Sequence, residues 1–263
     1  MFNSFLREKI ERYLYRINCA CEIISKEISK GSPMRLDKFI CKSSELTRNE
    51  AKRLLKSKLV TVNDEIVSSG ATKLLDNDTV KIEGREISII GHRYIMLNKP
   101  EDMICSTKDE VHPSVLNLIE VERVFDLHIA GRLDVDTTGL VLITDDGKWS
   151  HNITSPNKAC QKTYRVITQA DITTEMVQKL EQGVELRSEN EATKPAQIKV
   201  LDSRQMLLTI TEGKYHQVKR MLAAVGNKVI ELHREQIGTI TLDEELDFGQ
   251  WRYLTEEEIA LFK

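Results

Sequence analysis

The sequence holds no glycine-rich phosphate loop, neither a G-x-G-x-x-G turn nor a Walker pattern, which argues against a nucleotide or dinucleotide cofactor. It has no Cys-x-x-Cys or His-Glu-x-x-His pair, so neither a structural nor a catalytic zinc is expected. No apolar run approaches the roughly 18–20 residues of a membrane span, and no membrane association is expected. Residues 1–33 mix Glu and Lys with apolar residues and lack the clean apolar core of a secretory signal. Their acidic residues also argue against a transit peptide. The five cysteines, Cys19, Cys21, Cys41, Cys105 and Cys160, are odd in number and mostly scattered. That pattern fits a reduced cytoplasmic protein rather than a disulfide scaffold.

What is present is a chain of 263 residues, 40% hydrophobic and 30% charged, long enough for two domains with an appendage. Its net charge of −3 conceals an asymmetry. Residues 1–33 carry +2, residues 34–93 carry +3 and residues 94–263 carry −8. Within residues 35–58, eight basic side chains face three acidic ones. A small basic module thus precedes a larger acidic one, and such a patch suits a polyanionic partner better than the whole-chain charge suggests. The competing reading is a solvated helix face.

Residues 1–33 read as an amphipathic helix, with Ile10, Leu14, Ile17, Cys21, Ile24 and Ile28 on one stripe and Gly31 and Pro33 as its stop. An extension without a function of its own is the alternative. Residues 34–60 read as two short helices. In the second, Thr47 and Glu50 complete a capping box, and Ala51, Leu54 and Leu55 face inward. Strands are expected at 59–62, 65–67 and 79–82, and a linker near 84–93.

From residue 94 the pattern is mostly strands. They are expected at 94–97, 124–129, 139–144 and 162–168, with a hairpin over 196–201 and 206–211. A helix is expected over 215–225, closed by Gly226-Asn227. The class is α+β with a mostly antiparallel mixed sheet and flanking helices. The expected organisation is 1–33 as an extension, 34–93 as a small basic domain and linker, and 94–263 as the larger domain.

Suggestive chemistry is densest in Ala130-Gly131-Arg132-Leu133-Asp134-Val135-Asp136-Thr137-Thr138-Gly139-Leu140. Asp134, Asp136 and Thr138 imitate a calcium loop, but position twelve is Asp145 rather than a bidentate Glu, and a strand-like run follows within the loop. Alternatively, Asp134 lies between apolar neighbours with Arg132 close by, an environment in which an ionised carboxylate can act as a nucleophile. A turn aspartate satisfied by backbone amides is the competing reading. Lys162-Thr163-Tyr164 and Gly213-Lys214-Tyr215-His216-Gln217-Val218-Lys219-Arg220 add aromatic and cationic groups that are weak signals alone.

Together these segments resemble the pseudouridine synthases. Gly131 to Leu140 with Thr144-Asp145-Asp146-Gly147 is similar to that family's central motif, and the two clusters just named are similar to the motifs that follow it. Met34-Arg35-Leu36-Asp37-Lys38-Phe39-Ile40 resembles the opening of an S4 RNA-binding domain. Tyr94 to Pro100, Thr193 to Ala196 and Gly226 to Glu235 point to the small-subunit ribosomal RNA branch, the RsuA family. The resemblance covers about residues 34–263.

The resemblance implies isomerisation of a specific uridine to pseudouridine in small-subunit (16S) ribosomal RNA, without cofactor or metal. It implies Asp134 as the catalytic carboxylate, Tyr164 packed on the target base, and Arg132 filling the gap left by the extruded base. Lys219 is the matched cation for Asp134, with Arg220 beside it as the other candidate. Arg35, Lys38, Arg48, Lys52, Arg53, Lys56 and Arg220 are expected to contact RNA. The expected partner is ribosomal RNA within a small-subunit assembly intermediate, and a monomer is expected. The alternatives are a large-subunit (23S) target and a non-catalytic S4-type RNA-binding module.

Overall fold

The computed structural model describes residues 34–263 except 45, 76, 90, 122 and 188. The helix expected over residues 1–33, with Cys19 and Cys21, lies outside the described residues. The described chain forms two compact units. One runs up to Gly91 and includes Val121–Arg123; the other comprises His92–Glu120 and Val124–Lys263. Among the described residues no helix is long and apolar enough to cross a membrane.

The first unit begins with β1 (Met34–Arg35), α1 (Leu36–Ser43) and α2 (Arg48–Lys56). The second helix starts at Thr47 because that residue's hydroxyl accepts from the Glu50 amide at 3.3 Å, while Glu50 accepts from the Thr47 amide at 2.7 Å. Strands β2 (Val60–Val62), β3 (Glu65–Ile66), β4 (Lys73–Leu74), β5 (Val80–Ile82) and β6 (Arg85–Ile87) follow. Leu36, Ile40, Ala51, Leu54, Leu55, Val60 and Ile82 meet in its core. Burying the apolar helix faces leaves Lys38, Arg48, Lys52, Arg53 and Lys56 outside. The linker expected near 84–93 begins as a strand instead. Glu83 and Gly84 both take positive φ, +50° and +78°. That is the turn geometry that closes a two-residue hairpin between β5 and β6.

The second unit is built on a nine-stranded sheet. Its strands are β7 (Tyr94–Lys99), β8 (His128–Ile129), β9 (Thr138–Thr144), β10 (Lys162–Thr168), β11 (Gln197–Asp202), β12 (Gln205–Ile210), β13 (Val229–Ile237), β14 (Ile240–Thr241) and β15 (Trp251–Tyr253). The order is β11-β12-β10-β13-β9-β7-β15, with β14 paired to β13 and β8 to β9. Every pairing is antiparallel except β13 with β9. Helices α3 (Gly147–Thr154), α4 (Thr174–Gln182), α5 (Gln217–Ala224) and α6 (Glu256–Ala260) flank it. One core cluster gathers Met96, Leu140, Leu142, Trp149, Ile153 and Ile237. The stretch expected as a strand over 124–129 is a 3-10 turn at Val124–Asp126 followed by the two-residue β8.

The register across the middle of this sheet positions everything that follows. Lys99 on β7 is opposite Gly139 on β9, Gly139 is opposite Arg234 on β13, and Arg234 is opposite Tyr164 on β10. Residues in register share a face, so these four form one row. Glycine is required in that row: Gly139 has φ +103°, and a Cβ there would lie 2.4 Å from the Arg234 carbonyl oxygen. Backbone cannot move aside as a flexible side chain would. Gly139→Ala is therefore expected to destabilise this unit by about 3 kcal/mol through strain and overpacking. Gly131→Ala, with φ +98° but open space around its Cβ, should cost only about 1 kcal/mol. Thermal melts of the two variants check the difference.

Candidate active site

The segment Gly131–Thr137 connects β8 to β9 without regular structure. It is nevertheless tied down from both sides by buried cations. Arg234 is 1% exposed. Its Nε donates to the Leu140 carbonyl at 2.8 Å and its Nη2 to the Gly131 carbonyl at 3.0 Å; Nη1 makes a long contact to the Arg132 carbonyl at 3.5 Å. Lys99 is fully buried. Its Nζ donates to the carbonyls of Pro100 at 2.8 Å, Val135 at 3.1 Å and Thr137 at 2.8 Å. Burial pulls the Lys99 amine below its ordinary pKa. Three carbonyl acceptors match the three donors of an ammonium and favour the charged form. The Leu133 amide donates to the Cys105 sulfur, and the Asp102 amide to the Val135 carbonyl at 3.0 Å.

This frame presents Asp134, whose side chain is about one-third exposed. Its Oδ1 lies 3.4 Å from His216 Nε2 and its Oδ2 lies 3.5 Å from Lys219 Nζ. Lys219 also bonds Asp136 directly. Burial pushes the Asp136 carboxyl up, but the Lys219 hydrogen bond and charge outweigh it and hold the group below the ordinary carboxylate range. Lys219 thus shares one ammonium between two carboxylates, while His216 approaches the other oxygen of Asp134. Both come from the start of α5, whose inner face is anchored by Val218, Met221 and Leu222.

Tyr164 is 8% exposed on β10, its ring centroid 6.0 Å from the Arg234 guanidinium carbon. That is the outer limit of a cation–π contact. Arg234 therefore touches both the segment carrying Asp134 and the ring of Tyr164. The Arg132 side chain is exposed and makes no ion pair among the described residues. Arg220 points elsewhere: its Nη1 donates to Glu189 at 3.0 Å and to the Tyr215 carbonyl at 3.0 Å, and its Nη2 bonds the Arg187 carbonyl. Of the two adjacent cations, Lys219 is the one beside Asp134.

On the first unit, Arg35 forms a two-pronged pair with Asp37 at 3.0 and 2.7 Å. Lys38, Arg48, Lys52, Arg53 and Lys56 are exposed and make no ion pair among the described residues.

Sequence reasoning singled out no role for Lys99, Arg234 or His216. A signal existed for Arg234: it shares parity with buried Leu232 on β13, so an alternating strand must bury its charge. Lys99 ends an apolar strand, with Met96, Leu97 and Asn98 buried before it. His216 had no comparable signal, because its contact to Asp134 joins residues 82 positions apart.

Comparisons with known proteins place the chain in a family. Residues 93–224 match the family described as RNA pseudouridylate synthase, and residues 34–80 match the S4 domain. The chain is 56% identical over 227 residues to ribosomal small subunit pseudouridine synthase A of Vibrio cholerae serotype O1, covering 86% of this chain and 98% of that one. It is 51% identical over 228 residues to the protein so named in Escherichia coli (strain K12), covering 86% and 99%. A crystal structure described as a pseudouridylate synthase superposes with a TM-score of 0.64 at 45% identity, covering 88% of this chain and all of that one. With an S4 domain ahead of the matched region and relatives over 50% identical across nearly their whole length, the chain belongs to the RNA pseudouridylate synthase family.

Proposed function

We propose that this enzyme isomerises one uridine of small-subunit (16S) ribosomal RNA to pseudouridine, with Asp134 as the catalytic carboxylate. The relatives over 50% identical across nearly their whole length are named for that subunit. The observation that carries the reading is Asp134 on a rigidly tied segment, with Lys219 and His216 at its two oxygens.

The reaction breaks the N1–C1′ bond of the uridine and remakes the link as C5–C1′. The base must first leave the stack, at a cost of a few kcal/mol. Tyr164 supplies an aromatic surface that returns part of this by stacking. Asp134 then either attacks the sugar or supports its conversion to a glycal, and in both routes the carboxylate has to be ionised and aimed. Lys219 pairs with the carboxylate at 3.5 Å, and Arg234 and Lys99 hold the aim. Arg132, exposed and in no ion pair among the described residues, can enter the gap left by the base. Lys38, Arg48, Lys52, Arg53 and Lys56 supply phosphate contacts, which position the RNA rather than specify its sequence. Arg35 and Arg220 are already engaged by Asp37 and Glu189 and contribute less.

Asp134→Asn is expected to lower pseudouridine formation by at least about 10³-fold while RNA affinity is kept. Full turnover by the variant would reject the assigned role and leave only an RNA-binding module. Mapping pseudouridines in ribosomal RNA from cells lacking the protein should show one site lost from the small subunit; a site lost from the large subunit would reassign the target. Reversing charge at Arg48, Lys52, Arg53 and Lys56 together should reduce the slope of log affinity against log salt by about 3. An unchanged slope removes that face from the interface. Arg234→Met should cut kcat by about tenfold or more with little change in KM, and Arg234→Lys should restore part of it.

A further inference from the structure

The segment leading into α5 carries a feature that the chemistry above does not use. Tyr215 is 74% exposed, an unusual position for an aromatic ring that does not enter the core. It is not loose. Its ring stacks on His216, with centroids 3.8 Å apart and planes 20° from parallel. Its carbonyl accepts from Arg220 Nη1 at 3.0 Å, and Glu189 holds that guanidinium at 3.0 Å. One residue earlier, the Lys214 amide donates to buried Gln217 at 2.8 Å. Two neighbouring aromatic rings are therefore held face to face on a braced loop, and the inner one lies 3.4 Å from the Asp134 carboxylate.

We propose that Tyr215 and His216 form a stacking platform for a nucleobase adjoining the target uridine in the RNA strand. The platform's place follows from the function proposed above, in which Asp134 marks where that uridine lies. His216 is in contact with Asp134, so the ring stacked on its outer side is where the next part of the bound strand would pass. An extruded nucleotide breaks the stacking of its neighbours, leaving a π-face that a fixed aromatic ring can cover. Such a contact accepts any base, so the platform adds affinity and holds the strand open without reading sequence. Paired to its own ring neighbour and braced through its carbonyl, Tyr215 has little freedom left to lose on binding.

The test uses the full chain and protein-free small-subunit ribosomal RNA transcribed in vitro, with filter binding and tritium release from C5-labelled uridine as parallel readouts. Tyr215→Ala is expected to weaken RNA binding about tenfold and to raise KM with kcat nearly unchanged. Tyr215→Phe should restore wild-type behaviour, whereas Tyr215→Leu, bulky but not aromatic, should resemble the alanine variant. Because Tyr215 is so exposed, none of these should disturb folding. Wild-type affinity in Tyr215→Ala overturns the proposal, as does restoration by Leu equal to that by Phe. If the wild-type chain releases no tritium, the isomerase reading fails, and the binding readout still decides the platform.

Discussion

Two buried cations without a carboxylate between them hold this site together. Lys99 and Arg234 flank Gly139 in neighbouring strands and spend their donors on backbone carbonyls of Gly131, Val135, Thr137 and Leu140. Burying a charge is costly unless its hydrogen bonds are satisfied, and removing either cation would also orphan the carbonyls it serves. The segment between β8 and β9 is thereby fixed without belonging to any helix or strand. The positive field of the two groups also lies behind the loop that presents Asp134.

The one parallel pairing in the sheet makes this arrangement possible. Because β13 runs alongside β9 in the same direction, Arg234 meets Gly139 at the very start of β9, where the loop enters the sheet. On its other side β13 runs antiparallel to β10, which places Tyr164 opposite the same arginine. A single residue thus relates the aromatic wall to the carboxylate loop. The absence of a side chain at Gly139 is what lets the two strands approach closely enough.

Much of this was legible in the sequence. The β10 limits, the β11–β12 hairpin, the capping box at Thr47 and Glu50, and the apolar face of α5 all follow from local patterning, because short-range periodicity and capping chemistry decide them. The helix α3 was not legible. Its sequence, Gly-Lys-Trp-Ser-His-Asn-Ile-Thr, has poor helix formers and reads as the continuation of a turn. The helix forms because the Asp146 side chain accepts from the Lys148 and Trp149 amides and Trp149 is buried almost completely. At the site, proximity in sequence made Lys219 and Arg220 look equivalent, but one helical step of about 100° sends the first toward Asp134 and the second toward Glu189. Long-range contacts of that kind are set by packing of the helix on the sheet, which no local pattern encodes.

Holding a loop by its carbonyls rather than its side chains has an evolutionary corollary. A carbonyl is present whatever residue carries it, so the anchoring of 131–139 is indifferent to most substitutions within it. Sequence drift in this stretch is then constrained at Asp134, at the two glycines, and at distant Lys99 and Arg234, while residues such as Val135 can change without loosening the grip. A mutational tolerance map of this chain would look discontinuous: permissive in the loop apart from Asp134 and the glycines, and strict at two positions far from it in sequence.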